Sequence, residues 1–521
     1  MVPLQLEYIP SESLQDIATQ RTGYLNGLPS TIPSFSFSAT VKEFRKFQNT
    51  PEYTNHCNRG SNEAVPPIPV TLLHPVFGQF LDDCKSLQTT AADNSFAREV
   101  GMKMSEVYAY EDTRDYDEGR ASVLRGLFRD WGLHFIPTTI EAHHGKKYFT
   151  DGDISLDGYR YAILEVKNEV GSGSSDPYAQ ASLYYQESNR RFVANVDSVL
   201  PCFLVLVFGS FSHYLLDLSA DRHGTPLLGP YIAFAGAAWN VCSTTEIFSV
   251  LPLHYHPMNI EMQCTVARNL CAMKKAIHAL RLYYNSPLPR PPVPAPNLVF
   301  PHPTFYFTSP DSQEQAIVYE DKFENRLLFS GKELNAEGRK ICIKFVRSYS
   351  MDAHAFCASK GHAPTLLGHR DLPGGWLMIV MEQLDSNYIP LHQCSFPTDS
   401  AKAMLVDRIQ EAIYMVHREG YVHGDLREAN IMVNQHHTTH KFMIIDWDWS
   451  GAIQVARYPM HVNQEVMRPE GAIDGKLILP EHDMKMLDYI REAPGSAAIG
   501  LKRPLPTPDL SPRRGKLQKM C

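Results

Sequence analysis

The segment that decides the fold is His423–Asn430, HGDLREAN, which is followed by Asp446 in the run IIDWDW. Asp446 comes 16 positions after Asn430. Phosphoryl transfer needs one carboxylate to orient the acceptor hydroxyl, and an amide oxygen with a second carboxylate to hold Mg²⁺. Asp425, Asn430 and Asp446 supply these three groups. The segment therefore predicts a phosphoryl-transfer site.

The flanking sequence predicts the elements that present these groups. Leu405, Ile409, Ile413 and Val416 recur at helical spacing, and Gly420 marks the point where that helix should end. After the motif, the apolar runs IMV and FMII are separated by the polar stretch NQHHTTHK, which predicts a β-hairpin. A helix, a loop, a hairpin and an acidic residue should therefore follow one another.

These residues resemble the protein-kinase-like superfamily, in the HGD-type variant of the aminoglycoside and choline phosphotransferases. The resemblance implies that Asp425 accepts the hydroxyl proton and that Arg427 meets the transferring phosphate. It implies that Asn430 and Asp446 hold Mg²⁺, with Asp448 as an assisting ligand. It also implies ATP as the phosphate donor.

Further residues of the motif have supporting roles in the resemblance. His423 is expected to hold the catalytic loop, and Asp483 in PEHDMKML to be the buried helix acid beneath it. Gly424 replaces the Arg of the HRD motif, so a phosphorylated activation loop would lack its usual receptor. We therefore do not expect regulation by that route.

Upstream segments resemble the nucleotide-binding half of a kinase. Lys344 lies in the strand-like KICIKFVRSYS and resembles the strand lysine that pairs with the ATP phosphates. Glu382 and Gln383 end WLMIVMEQL, which resembles the strand that hydrogen-bonds adenine. Gly331 and Gly338 are the only glycines in the stretch where a Gly-rich loop is expected. The pattern thus gives little support for phosphate binding by backbone N–H groups.

The partner of Lys344 is open, because the following helix has no glutamate and offers only Asp352 or His354. A catalytically weak, nucleotide-binding pseudokinase is the alternative to an active enzyme. The predicted activity is transfer of the γ-phosphate to a hydroxyl, with a protein acceptor favoured and a small molecule left open. The expected fold class is α+β, a two-lobe protein-kinase-like domain over residues 304–490 preceded by an α/β domain.

A second constellation of charged residues lies in the first half of the chain. Glu165 and Lys167 are two apart in an apolar strand and should point to the same face, and Asp151 precedes them. Carboxylates that hold Mg²⁺, together with a lysine beside the bound water, are the parts of a metal-dependent hydrolysis site. The sequence therefore presents a candidate hydrolytic site.

The next predicted element strengthens this candidate. Asp176 and Pro177 are an N-cap and a first-turn proline, and Gln180 and Tyr184 share one face of the helix they begin. This arrangement resembles the PD-(D/E)xK restriction-endonuclease-like fold, in the variant with Gln-x-x-x-Tyr on the helix. The resemblance implies catalytic roles for Asp151, Glu165 and Lys167, and supporting roles for Gln180 and Tyr184.

Alternatives remain at this second site. Asp153 is two residues from Asp151 and competes for the first acidic position, and Glu118 is a candidate first-helix acid. An exposed Glu and Lys on one strand are also typical of an ordinary solvated face. The net charge of -8 gives no basic footprint for nucleic acid, which remains a partner only through this domain.

The combination of the two modules is similar to a fusion in fungal kinase-like proteins and some Crinkler-type effectors. The predicted boundaries are an N-terminal extension (1–90), an endonuclease-like domain (91–284), a Pro-rich linker (285–303), the kinase-like domain (304–490) and a disordered basic tail (491–521).

Composition fits an intracellular protein, cytoplasmic or nuclear. The ten cysteines show no CxxC pair, so neither a disulfide framework nor a zinc ribbon is indicated. The longest apolar run is interrupted by Pro, Gly and His, so we expect no membrane span. The histidines of HHTTH and HYH are expected at the surface or in packing rather than on a metal.

Overall fold

A computed structural model describes residues 23–28, 34–48, 68–106, 119–142, 145–167, 175–193, 196, 198–209, 230–240, 242–286, 300–309, 311–323, 326–335, 338–435 and 441–492. The chain divides into two compact units. The first comprises Met1–Arg347 with Leu367–Met381, and the second comprises Ser348–Leu366 with Glu382–Cys521.

The first unit contains helices, a five-stranded sheet and a barrel. Its helices are α1 (Phe35–Ser38), α2 (Val41–Gln48), α3 (Val70–Leu73), α4 (Pro75–Ser86), α5 (Ala91–Glu106), α6 (Arg120–Asp130), α7 (Pro177–Asn189) and α8 (Ile260–Asn285). Its strands are β1 (Thr139–Glu141), β2 (Lys147–Phe149), β3 (Gly152–Leu156), β4 (Tyr159–Lys167), β5 (Cys202–Phe208), β6 (Tyr231–Trp239), β7 (Ser243–Pro252), β8 (Phe305–Phe307), β9 (Glu314–Lys322), β10 (Leu328–Glu333), β11 (Lys340–Val346), β12 (Leu366–Leu372) and β13 (Trp376–Glu382).

The five-stranded sheet has the order β3-β4-β5-β6-β7. Its neighbouring strands are antiparallel except β4 and β5, which are parallel. A parallel pair requires a crossover connection, and α7 lies in that connection. The helix begins as the sequence predicts, because the side chain of Asp176 accepts a hydrogen bond from Ala179 N and Pro177 occupies the first turn.

The core of this sheet extends beyond the predicted domain. Phe80 of α4 lies 4.9 Å from Phe203 and 5.8 Å from Phe234, measured between ring centroids, and Phe77 packs on Phe248. Helix α4 also packs along α8. The predicted boundary between residues 90 and 91 therefore excludes a helix that belongs to the same core.

Strands β8 to β13 form a closed barrel with the order β10-β11-β13-β12-β8-β9. The turn between β12 and β13 is bonded to α3 and α4. Gly374 N donates to Asp82 Oδ2 at 2.9 Å, and Trp376 Nε1 donates to Thr71 Oγ1 at 2.9 Å. Through these bonds the barrel contacts the N-terminal helices, and it belongs to the same compact unit as they do. The residues of the predicted domain 304–490 are therefore divided between the two units.

The predicted linker overlaps a helix at its first end and a buried residue near its second end. Asn285 is the last residue of α8, and Phe300 is buried with its ring centroid 5.1 Å from that of Tyr319. His302 N also donates to Leu72 O at 2.8 Å. Residues 287–299 and the predicted tail after residue 492 lie outside the described ranges.

The second unit is mainly helical with short hairpins. Its elements are α9 (Met351–Ser359), β14 (Tyr388–Pro390), a 3₁₀ turn (Leu391–Gln393), α10 (Asp399–Arg418), β15 (Tyr421–Val422), a 3₁₀ turn (Glu428–Asn430), β16 (Ile431–Asn434), β17 (Phe442–Ile444), β18 (Gly451–Ala452) and α11 (Pro480–Glu492). Both predicted elements around the motif are present, since α10 precedes it and β16 pairs antiparallel with β17 after it. Gly420 has a φ of 96° at the end of α10, as expected for a helix stop.

Candidate functional site

Asp483 of α11 holds the backbone of the catalytic loop, residues 423–430. Its Oδ2 accepts a hydrogen bond from His423 N at 2.8 Å, and its Oδ1 accepts one from Gly424 N at 2.8 Å. His417 Nε2 of α10 lies 2.9 Å from the same Oδ2. Asp483 is 1% exposed, so two helices and the loop meet at one buried carboxylate.

Gly424 has a steric reason to replace the arginine of HRD. Its φ is 86°, in the left-handed region that a glycine adopts without strain. A Cβ at this position would lie 2.7 Å from Ile478 Cδ1, closer than packed atoms approach. A larger residue would be strained by this φ and would require the Ile478 side chain to shift.

Asp425 is 5% exposed and lies among donors. Its Oδ2 accepts hydrogen bonds from Arg427 Nε at 3.0 Å and from Asn430 Nδ2 at 2.9 Å, and its Oδ1 accepts one from Arg468 Nη2 at 2.7 Å. His423 fixes the loop on the other side, since its Nε2 lies 3.1 Å from Ile445 O. The carboxylate that the motif indicates as the base is thus held in one orientation.

Asn430 is fully buried and engages Asp425 through its amide nitrogen alone. Nδ2 donates to Asp425 O as well as to Oδ2, both at 2.9 Å. Asn430 Oδ1 is buried and has no hydrogen-bond partner among the residues that the structure describes. A buried amide oxygen without a donor is a suitable ligand for Mg²⁺, which prefers oxygen. The donor set at this position therefore fits the predicted cation.

Asp446 and Asp448 follow β17, and both are partly exposed. Asp446 has a φ of 72°, an uncommon conformation for a residue other than glycine and one that clusters at functional sites. Trp447 between them is fully buried, with its ring centroid 4.8 Å from that of His423. Burial of Trp447 fixes the segment that carries both acids.

The predicted nucleotide-binding residues lie on the barrel strands and just after them. Lys344 is in β11, opposite Leu328 of β10. Glu382 ends β13, and its Oε2 accepts a hydrogen bond from Thr365 Oγ1 at 2.9 Å. Gln383 Oε1 is buried without a hydrogen-bond partner within the described ranges.

The glycines expected for phosphate binding are not at the turn before β10. Gly331 lies inside β10, opposite Tyr319, and Gly338 lies between β10 and β11. His354, one candidate partner of Lys344, has both ring nitrogens engaged, 2.9 Å from Tyr349 Oη and 2.8 Å from Pro364 O. Asp352, the other candidate, is exposed in the first turn of α9.

In the second constellation, Glu165 and Lys167 lie at the C-terminal end of β4 and Asp151 lies just before β3. Lys167 Nζ is 2.6 Å from Glu165 Oε1, so the two side chains of the predicted same-face pair are in direct contact. Asp151 Oδ2 accepts a hydrogen bond from Val166 N at 2.8 Å. Glu165 is 1% exposed, and no described residue donates a hydrogen bond to its Oε2. The Glu165 side chain is therefore buried, unlike the solvated strand face of the alternative interpretation.

Gln180 and Tyr184 complete this site from α7. Gln180 Nε2 donates to Tyr184 Oη, and Tyr184 Oη donates to Phe149 O, both at 2.8 Å. Ser175 Oγ donates to Gln180 Oε1 at 2.9 Å. Burial, and then the charge of Glu165, raise the pKa of Tyr184 above its ordinary value. The helix face therefore borders the carboxylates, as its spacing indicates.

Asp153 is separated from these acids by its own partners. Its Oδ2 accepts hydrogen bonds from Arg160 Nε at 3.1 Å, from Thr150 Oγ1 at 3.1 Å and from Thr138 Oγ1. Asp153 is thus a buried partner of Arg160, and Asp151 is the acid beside Glu165. Glu118 lies outside the described residues.

The pKa of Glu165 leads to a prediction about stability. Burial, and next the charge of Asp151, raise this pKa to about 8 against the opposing effect of Lys167. Between the ordinary value of 4.5 and about 8, the folded chain holds a proton that the unfolded chain has lost. The free energy of unfolding should therefore fall as pH rises through this window, by on the order of a few kcal/mol.

Glu165→Gln should remove this contribution and become more stable than the native protein at the alkaline end. Chemical denaturation at pH 5, 7 and 9 measures the difference, with the exposed Glu141→Gln as control. A stability difference between Glu165→Gln and the native chain that does not change with pH would contradict the assignment.

Sequence reasoning missed Arg468. It reaches Asp425 across 43 positions, and its side chain is 8% exposed. Its guanidinium also lies over the Trp449 ring, 4.7 Å from the centroid. The surrounding residues MRPEG carry no motif that predicts a role in the site. Only the folded chain brings this arginine to the catalytic loop.

Metal-binding side chains are sparse at both candidate sites. Within the described ranges, no three or more His, Cys, Asp and Glu side chains form a group that could hold a metal ion, so each candidate Mg²⁺ site would need other oxygen ligands. In the same residues, no helix combines the length and the apolar character needed to cross a bilayer. The histidines at 436–440 are outside the described ranges.

Known proteins resemble part of this chain. No curated protein sequence matches it. Among solved structures, the kinase PK-1 of Cydia pomonella granulovirus is similar at 12% identity and a TM-score of 0.28, over 34% of this chain and 66% of that chain. The chain thus spans slightly less than two thirds of that protein's length. Residues 377–459 match the model of the RIO domain, an atypical protein-kinase family, so the C-terminal part of the chain carries a kinase-like domain.

Proposed function

We propose that the chain is an ATP-dependent phosphotransferase that moves the γ-phosphate of ATP to a hydroxyl, with protein as the expected acceptor. The observation that carries this proposal is the catalytic loop. Asn430 Nδ2 is bonded to Asp425, while Asn430 Oδ1 is buried and without a protein partner in the described loop. One side chain thereby orients the base and offers a metal ligand.

In this proposal Asp425 receives the proton of the acceptor hydroxyl. The hydroxyl oxygen bonds to the γ-phosphorus, the bond from that phosphorus to the bridging oxygen breaks, and ADP leaves. Arg427 would stabilise the charge of the transferring phosphate, as its bond to Asp425 keeps its guanidinium beside the base. The base and the cationic group thus belong to one short loop.

The nucleotide would be held by residues with matching chemistry. Asn430, Asp446 and Asp448 would hold Mg²⁺, which neutralises charge on the phosphates when bound. Lys344 would pair with the phosphates, and Glu382 with Gln383 would face the adenine. The buried Gln383 Oε1 supports this role, because a base amino group would satisfy it.

The rival within this class is a catalytically weak nucleotide-binding pseudokinase. It is favoured by the missing glycines before β10 and by the engagement of both His354 ring nitrogens with groups other than Lys344. Both functions require a nucleotide site, so binding is the first test of their common part.

That test is the melting shift of the full chain on adding ATP with Mg²⁺. A ligand at a hundredfold its Kd should stabilise the folded state by about 2.7 kcal/mol. We expect this shift to require Mg²⁺ and to be lost in Asp446→Ala, with the exposed Asp385→Ala as control. An identical shift in Asp446→Ala would contradict the role of Asp446.

We propose as a second candidate function that the first unit is a metal-dependent nuclease. The specific observation is the buried pair of Asp151 and Glu165 beside Lys167, in which Glu165 Oε2 lacks a donor among the described residues. The raised pKa of Glu165 indicates that Lys167 alone does not compensate this negative charge. A divalent cation held by these acids would supply that charge and activate a water for hydrolysis.

The order of elements is consistent with the restriction-endonuclease-like resemblance. Helix α6 is followed by the short pair β1 and β2, by β3 and β4, then by α7 and by β5, which is parallel to β4. The two acids and Lys167 lie at the start of β3 and the end of β4, and Gln180 and Tyr184 come from α7. These placements support the proposal without identifying a substrate.

The test is Mg²⁺-dependent cleavage of labelled single- and double-stranded DNA by the full chain. Lys167→Ala should reduce the rate by about a hundredfold or more, because it removes the cation beside the reacting centre. Lys275→Ala, which changes an exposed lysine paired with Asp83, is the control. Cleavage that survives in Lys167→Ala would point to a contaminating nuclease and overturn the proposal.

A further inference from the structure

The carboxylate of Asp425 is bracketed by two guanidinium groups of unequal exposure. Arg427 contacts Oδ2 and its side chain is 33% exposed, whereas Arg468 contacts Oδ1 and its side chain is 8% exposed. Arg427 belongs to the catalytic loop itself, and Arg468 comes from a later segment. The buried guanidinium is therefore the one that the motif does not supply.

The hydrogen bonds of Asp425 show what Arg468 controls. An ionised carboxylate offers about four lone-pair directions. Oδ2 of Asp425 receives two donors, Arg427 Nε and Asn430 Nδ2, and Oδ1 receives Arg468 Nη2. Among the donors that the described residues provide, the direction left for an acceptor hydroxyl is on Oδ1, beside Arg468. Arg468 is thus the donor that shares Oδ1 with that open lone pair.

The segment that carries Arg468 is built to keep it in place. Tyr458, Val462 and Ala472 pack with Ile478 in a small core. Asp474 accepts hydrogen bonds from the backbone N–H groups of residues 461 and 462, which closes the loop that contains Arg468. The ring of Trp449 then covers the guanidinium. Arg468 therefore has a fixed frame rather than a mobile surface position.

We infer that Arg468 is a positioning residue for phosphoryl transfer, which holds Asp425 Oδ1 so that its open lone pair meets the acceptor hydroxyl. The inference rests on the proposed phosphotransferase function. The hydroxyl proton passes to Asp425 while the hydroxyl oxygen bonds to the γ-phosphorus and ADP leaves. Arg468 acts only through Asp425, so its loss should slow the chemical step without weakening ATP binding.

The test measures ADP release from ATP by the full chain with Mg²⁺, with water or the chain itself as acceptor. Arg468→Gln should lower kcat by about 10- to 100-fold, the loss expected for one misaligned group in acid–base catalysis. The KM for ATP should stay within about twofold, since the variant removes no interaction that binds ATP equally in the ground state and in the transition state. Arg468→Lys should recover part of kcat, because lysine keeps the charge but loses the planar fork.

The control is Arg457→Gln on the same segment, whose exposed guanidinium donates to Gly475 O at 2.9 Å. Undiminished kcat in Arg468→Gln, beside an active native chain, would overturn this inference and leave the proposed function standing. If both Arg468 variants lost cooperative melting and their KM for ATP rose in parallel, Arg468 would be needed for folding. That result would overturn the inference. No ADP release by the native chain would overturn the proposed function and the inference with it.

Discussion

Asp425→Asn should reduce phosphoryl transfer by about a thousandfold, since an amide of nearly the same shape cannot take the hydroxyl proton. The variant keeps an oxygen for one of the arginine donors, so the loop should remain folded and ATP should still bind. Transfer is followed as ADP release, and folding as the cooperativity of melting.

The matched control for this variant is Asp407→Asn in α10. Asp407 is an exposed acid that accepts a bond from Arg491, and its replacement should leave the rate unchanged. If Asp425→Asn retained the native rate, Asp425 would not be the base, and the activity would belong elsewhere in the chain.

Asp483→Ala should lower the free energy of unfolding by about 3–5 kcal/mol, the cost of leaving buried donors and a charge partner uncompensated. The variant removes the acceptor of His423 N and of Gly424 N, and His417 loses its partner. Water cannot readily replace a carboxylate at this depth, because Asp483 is 1% exposed. Chemical denaturation followed by tryptophan fluorescence measures the loss.

Asp488→Ala on the same helix is the comparison for this effect. Asp488 lies on the surface, with its side chain 44% exposed and paired to Lys485, so its loss should cost about 0–1 kcal/mol. Equal, small changes in both variants would show that the catalytic loop does not depend on Asp483.

The predictable parts of this protein are those fixed by neighbours in sequence. The spacing of Leu405, Ile409 and Ile413 predicts α10 because one helix face must be apolar, and all three are buried. Asp176 predicts the start of α7 because a side-chain oxygen there satisfies a free N–H. Such features depend on residues that lie near one another in the sequence.

The parts that escaped prediction depend on contacts between distant residues. Arg468 and Asp425 are 43 positions apart, and nothing in the intervening sequence marks the arginine. The two compact units differ from the predicted boundaries, and contacts such as the bond between Asp82 and Gly374, which are 292 positions apart, lie within the first unit. Proline-rich composition indicated a linker, yet Phe300 near its end is buried in the core.

The RIO match supports the kinase-like part at the level of the domain and does not extend to its acceptor. It begins at residue 377, within β13, and ends at residue 459, before Arg468. The strand that carries Lys344 and the whole first half of the chain lie outside it. The proposed hydrolytic site around Glu165 therefore depends on its own geometry and on the cleavage experiment.

The decisive experiment for phosphoryl transfer is ADP release from ATP, measured with the purified full chain in Mg²⁺ and in excess chelator, with Asp425→Asn as the blank. We expect ADP to accumulate in Mg²⁺, to stop accumulating when the cation is removed and to be absent from the variant. A native rate equal to the blank, at an ATP concentration that saturates the melting shift, would contradict a working phosphotransferase.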